Sequence, residues 1–292
     1  MQSNRYSTNS VQASPEQHQS RLVFSRMNRN IGRLSKTLAP ENVHRFRTNS
    51  RRVEALIGDL APETRNKKKL LKLLAKLRKK AGKLRDLDVE IAFLNNLKVP
   101  DRQNQRAQLL DWLAEEHARR SRKLVKTFDG VTVRELRKRL RRAQSEIKLD
   151  GVEPLHLAFD SLPRPGQVPL NEKALHACRV AAKRARYLAE LAAESPDAEL
   201  FVEELKRAQD AIGEWHDALK LTQKAEQHFG SAHDSSLVAV LQNISRARFR
   251  SAGAALLRAL RAIAQLQRTA AVQPAGQKAP QPEIHVEHAA VA

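Results

Sequence analysis

The whole chain contains a single cysteine, Cys178. No intramolecular disulfide can form, which fits a reducing compartment. Aromatic residues make up only 4%, so a core must rest on Leu, Ala, Val and Ile, which packed helices use well. Val, Ile and Thr are too sparse, and alternation too rare, for a sheet. No apolar run approaches the roughly 20 residues of a membrane span. Met1-Gln2-Ser3-Asn4-Arg5 lacks the basic-then-apolar pattern of a signal peptide. The expectation is a soluble, cytoplasmic, all-α protein with no membrane partner.

Acidic residues are also scarce relative to basic ones. Over 292 residues, 53 Lys and Arg face 32 Asp and Glu, a net charge of +21. Such an excess destabilises the compact state by self-repulsion unless a partner neutralises it. The composition therefore implies a polyanionic partner. Hydrophobic residues reach 41%, enough for a real core, and the length suits about two domains or one large one.

Pro and Gly divide the chain into eight helix-sized pieces, with breaks near Pro15, Pro40, Pro62, Pro100, Gly130, Pro154 to Pro169, Pro196 and Gly230. Residues 1–15 and 270–292 are polar and aperiodic and read as disordered tails. Residues 16–129 read as a first four-helix half. Residues 130–269 read as a second, with a Pro-rich loop at 154–169. Helical periodicity runs through the pieces. Leu70, Leu74, Leu77, Ala81 and Leu84 form an apolar stripe, with Lys72, Lys76, Lys79 and Lys83 beside it. Arg137 and Arg141 share one face of the fifth piece.

The strongest feature is an internal repeat. His44, Arg47, Arg51 and Arg52 recur as His176, Arg179, Lys183 and Arg184, an offset of 132 residues. Gly82-Lys83-Leu84-Arg85-Asp86 recurs as Gly213-Glu214-Trp215-His216-Asp217, an offset of 131. At about 100° per residue, and measured from Val43, His44 falls at about 100°, Arg47 at about 40° and Arg51 at about 80°. Phe46, Val53 and Ile57 point the opposite way, as do Cys178, Ala182 and Ala185 in the second copy. Cys178 is therefore a core residue. Arg52 and Arg184 flank each strip.

Like charges one turn apart repel, so such a strip is destabilising unless an anion bridges it. Arg offers a planar fork of donors matched to phosphate oxygens. Two strips would define one long basic surface, along which an extended polyphosphate could lie. Gly82 and Gly213, inside helical patterns, suggest a kink or close helix crossing. Arg85, Asp86 and Asp217 read as structural, with the carboxylates orienting basic side chains or capping a helix.

These motifs resemble the CHAD family, the conserved histidine α-helical domain. His44 to Arg52 matches its His-x-x-Arg-x-x-x-Arg-Arg pattern, and Gly82 to Val89 its Gly-x-x-Arg-Asp-Leu-Asp-Val pattern. The second half adds His176 to Arg184, Arg186 to Glu190 and Gly213 to Asp217. The resemblance covers about residues 17–268. It implies two tandem pseudo-symmetric four-helix bundles around one basic groove or pore, and non-catalytic binding of inorganic polyphosphate. It also implies a link to polyphosphate or polyhydroxyalkanoate granules and granule-associated proteins. The chain departs from the pattern at Glu54, where Arg often follows, and at His216, where Asn is frequent.

Two other functions remain open. Nucleic acid would bind through charge alone, weakly and nonspecifically, since no helix-turn-helix spacing, zinc ligand set or aromatic RNA motif is present. A histidine phosphotransfer protein would need one exposed His and a docking face, not two matched strips. Hydrolysis would need carboxylates around a divalent metal, and Asp86 and Asp88 do not share a helix face. No metal or cofactor is expected, and His285-Val286-Glu287-His288 reads as an incidental match in the tail.

Overall fold

The computed structural model describes residues 14–98, 103–149, 151–192 and 195–272, all of them helix, turn or coil. The two tails read as disordered lie almost entirely outside these residues, as do the break at Pro100 and the His285–His288 stretch. The described residues form an all-α protein. Helix α1 spans Pro15–Lys36, α2 Pro40–Leu60, α3 Arg65–Asn96, α4 Gln105–Thr127 and α5 Gly130–Glu146. They are followed by α6 at Pro154–Asp160, α7 at Glu172–Ala189, α8 at Pro196–Phe229 and α9 at Ser236–Val272. None is long and apolar enough to cross a membrane.

Local chemistry sets these boundaries. Pro15, Pro40, Pro154 and Pro196 sit in first turns, where a missing N–H leaves no bond unmade. Side-chain oxygens of Ser14, Thr64, Asp129 and Asn171 accept backbone N–H bonds at the starts of α1, α3, α5 and α7, satisfying donors the helix cannot. Gly230 ends α8 with φ at 85° and ψ at −150°, a conformation essentially restricted to glycine.

The stretch 154–169, read as loop, differs in its first part. Residues 154–160 form α6, whose Ala158 and Phe159 are buried against α7, α8 and α9. Seven residues are too short for periodicity to announce a helix; packing on α7 stabilises it. Helix α5 also differs from expectation. Read as the opening helix of the second half, it instead places Val133, Leu136, Leu140 and Ala143 in one core with α1, α2 and α3. Periodicity identifies an apolar stripe but not the core that receives it.

That first core holds Phe24, Met27, Phe46, Val53, Leu70 and Leu77, all fully buried. The second half is built on α7, α8 and α9, with Cys178 buried beside Trp215 and Leu256. A third cluster joins the halves at one end. There Leu87 and Leu94 of α3 meet Leu109 and Leu113 of α4, Leu221 of α8 and Leu241 of α9. Lys224 of α8 donates to Glu90 of α3 at this junction, and Glu90 is only 2% exposed.

Replacing Gly230 with Ala tests the turn between α8 and α9. An added Cβ would sit 3.0 Å from the Asp234 carboxylate and hold a strained backbone. Chemical denaturation should show a loss of about 1–3 kcal/mol, with polyanion binding retained.

Candidate functional site

Burying Phe46, Val53 and Ile57 in the first core turns the opposite face of α2 outward. Burying Leu175, Cys178, Ala182 and Ala185 does the same for α7. The two outward faces look into one cleft. A cavity of about 700 Å³ brings together His44, Arg47, Arg51, His176, Arg179 and Lys183. A second cavity of about 620 Å³ shares Arg51, His176, Arg179 and Lys183 with it, so the two adjoin along those side chains. The repeat's two strips thus line one cleft.

The helices behind the strips orient them unequally. Arg47 donates to the Asp86 carboxylate at 3.0 Å and to the Gly82 carbonyl at 3.3 Å. A Cβ on Gly82 would lie 3.6 Å from the Arg47 guanidinium carbon, so Arg47 rests directly on α3. The equivalent Gly213 has open space where its side chain would be; it forms no close helix crossing and borders the cavity. Asp217 makes no matching closed pair. Burial pushes its carboxyl above the usual range, opposed by the charge of Arg179. The Arg179 Nε is buried and has no hydrogen-bond partner among the described residues.

Burial and crowding of like charge lower Arg51, Arg179 and Lys183. Burial, reinforced by Arg47, draws the Arg51 guanidinium down to about 10. Burial together with Arg179, Arg51 and Arg47 draws the Lys183 ammonium down to about 6. His44 is lowered by burial and by Arg85. His216, whose ring centroid lies 5.5 Å from that of His176, falls to about 4 through burial and Arg179.

Other residues read as polyphosphate ligands are tied into ion pairs at the cleft's edge or lie elsewhere. Arg52 is bidentate to Glu190, at 2.7 and 3.1 Å. Arg184 pairs with Asp59. Both bonds tie α2 to α7 or to the turn after it, at the rim. Lys72, Lys76, Lys79 and Lys83 are exposed and border neither cavity. Arg137 and Arg141 are exposed on the outer side of α5. Helical periodicity groups residues on a face without saying which face meets the cleft. Arg85, read as structural, does border the cleft. Asp88 beside it is held by His117 of α4 at 2.9 Å.

Several cleft residues were not singled out as ligands: Arg78, Arg186, Tyr187, Gln209 and His216. Tyr187 lies beneath the guanidinium carbons of Arg52 and Arg186, at 5.5 and 5.2 Å from its ring centre. The repeat could have found Arg186, because its counterpart at the same offset is Glu54. Glu54 binds Arg78 at 2.9 Å, with burial raising its carboxyl. Among the described residues no three His, Cys, Asp or Glu side chains are grouped to hold a metal ion.

No curated protein sequence matches the chain. The fold matches the crystal structure of the CHAD domain from the plant Ricinus communis, with a TM-score of 0.64 and 19% identity. That match covers 87% of this chain and 90% of the other. It also matches PptA from Streptomyces chartreusis, with a TM-score of 0.56 and 15% identity over 87% and 98% of the two chains. The model of the CHAD domain family matches residues 19–226, well over half of the sequence. The chain belongs to the CHAD domain family.

Proposed function

We propose that the α2–α7 cleft binds inorganic polyphosphate without turning it over. The observation that carries this reading is a set of buried cations facing one another that the cleft's carboxylates do not pair. Among the described residues Arg51 and Lys183 form no ion pair, and Arg179 buries an unbonded Nε. An unpaired buried donor is costly until it meets an acceptor, and phosphate oxygens supply acceptors at Arg geometry. Two adjoining cavities bordered by α2 and α7 suit a thin linear polymer better than an isolated phosphate. The protein acts in the cytoplasm on this reading, at polyphosphate or polyhydroxyalkanoate granules and their associated proteins.

Lys183 gives the cleft a proton-linked character. Its ammonium titrates near 6 in the folded protein and in the usual range when unfolded. The unfolded state therefore binds more protons between those values, so stability rises with pH there. A bound polyanion favours the charged form and draws a proton onto Lys183.

Titration of long-chain polyphosphate into the wild type and into an Arg51→Ala, Arg179→Ala variant should show at least about a tenfold loss of affinity, or about 1.4 kcal/mol. The slope of log K against log salt should shrink by about 1.4, using single-strand counterion release as the guide. An unchanged affinity and slope would sink the reading. Gel electrophoresis should show the polymer's length unchanged on incubation with the protein; progressive shortening would contradict a purely binding role.

Two pH-linked outcomes follow from Lys183. Calorimetry at pH 7.5 in buffers of different ionisation enthalpy should show uptake of about one proton per cleft. Urea denaturation between pH 6.5 and 9 should show stability rising with pH, and Lys183→Met should flatten the rise and stabilise the protein at pH 7 by about 1–2 kcal/mol.

A further inference from the structure

The cleft does not hold the chain's charge excess. Its two cavities are bordered by eight Lys and Arg and six Asp and Glu, a small fraction of the net +21. Helix α1 carries five basic residues against one acidic, and α5 six against two. These two helices pack side by side at the outer edge of the first core.

Their basic residues are arranged, not scattered. On α1, Arg21, Arg26, Arg29, Arg33 and Lys36 are all exposed and fall within an arc of about 140°. On α5, Arg134, Arg137, Lys138 and Arg141 are all exposed and fall within about 100°. The arcs adjoin. A Cβ on Gly32 would lie 3.3 Å from the Arg137 guanidinium, so that side chain reaches onto α1 between Arg29 and Arg33. Arg21 and Arg141 border one cavity of about 380 Å³ between the helices.

Carboxylates are kept out of this face. Glu135 and Glu146 of α5 point away from it and bind Arg139 and Arg142. None of the nine cations forms an ion pair among the described residues. Elsewhere surface arginines are neutralised one turn along their own helices: Arg45 by Glu41, Arg120 by Glu116 and Arg207 by Glu203. Nine unneutralised cations on one face repel each other, and an extended anion relieves that.

We infer that the joined outer face of α1 and α5 is a second polyanion site, separate from the cleft, that grips the phosphate backbone of duplex nucleic acid. The nine cations are exposed along both helices, so the face can receive a broad ligand; the major groove of a duplex alone is about 12 Å wide. From Arg21 to Lys36 the row runs about 22 Å at 1.5 Å per residue, along a polymer with one charge per about 1.7 Å. The exposed arc contains no aromatic side chain to stack on bases. Its contacts are therefore to phosphates and carry no sequence preference. This site does not depend on polyphosphate binding in the cleft.

The test uses the full chain and three probes: a duplex DNA of mixed sequence, a short polyphosphate, and vesicles containing phosphatidylserine. Arg29→Ala, Arg33→Ala and Arg137→Ala together should weaken duplex binding at least about tenfold at near-physiological salt and lower the salt slope by about 2–3. Polyphosphate affinity should stay within about threefold. The Arg51→Ala, Arg179→Ala cleft variant should behave the opposite way, and duplex should still bind when short polyphosphate saturates the cleft. An Arg134→Gln, Arg141→Gln variant repeats the measurement if the triple variant does not fold. Unchanged duplex affinity and salt slope in both outer-face variants overturns the inference. So does an equal loss of vesicle or polyphosphate binding, which would mark a surface that does not favour nucleic acid.

Discussion

Repulsion across the α2–α7 cleft is the constraint that the rest of the fold works against. Arg47 and its neighbours depress Arg51, Arg179 and Lys183, and burial keeps water from screening them. What holds the walls in place is apolar packing behind each strip, where Phe46, Val53 and Ile57 on one side and Leu175, Ala182 and Ala185 on the other are buried. Ion pairs then bridge the walls at the rim, through Arg52 with Glu190 and Arg184 with Asp59. Glu90 and Lys224 join the halves at the far end. Basic residues therefore divide between two tasks: some hold the cleft closed along its edges, and others face into it.

The sequence showed which residues belong to strips but not which strips meet. His44, Arg47 and Arg51 and their second-half counterparts were legible because a repeat set their arc directly opposite an apolar stripe. The stripe of Leu70, Leu74, Leu77, Ala81 and Leu84 was legible for the same reason, and all five are fully buried. The role of Arg52 and Arg184 was not legible. Their partners, Glu190 and Asp59, stand 138 and 125 residues away, and nothing local marks such pairs. The lysines of α3 misled because a charged row beside an apolar stripe looks the same whether it borders a cleft or bulk water. Helix α6 was hidden by its length, and the core that receives α5 is set by tertiary packing.

The distribution of charge separates two surfaces on one protein. In the cleft, cations and carboxylates are nearly balanced in number, and the unpaired ones stand out through position and burial. On the outer face of α1 and α5, number itself is the feature, because acidic residues are absent from the arc. Burial makes the first surface selective for shape, while exposure and salt screening make the second responsive to ionic strength.

The pair of Glu54 and Arg78 has a consequence that reaches the ligand's own symmetry. Of the repeat-equivalent residues, Glu54 borders one of the two adjoining cavities and Arg186 the other, so the two ends of the cleft are chemically different. A homopolymer of phosphate reads the same in both directions and gains nothing from that difference. On the proposed function, a phosphate chain capped at one terminus does not, and it would settle in the cleft with a preferred heading.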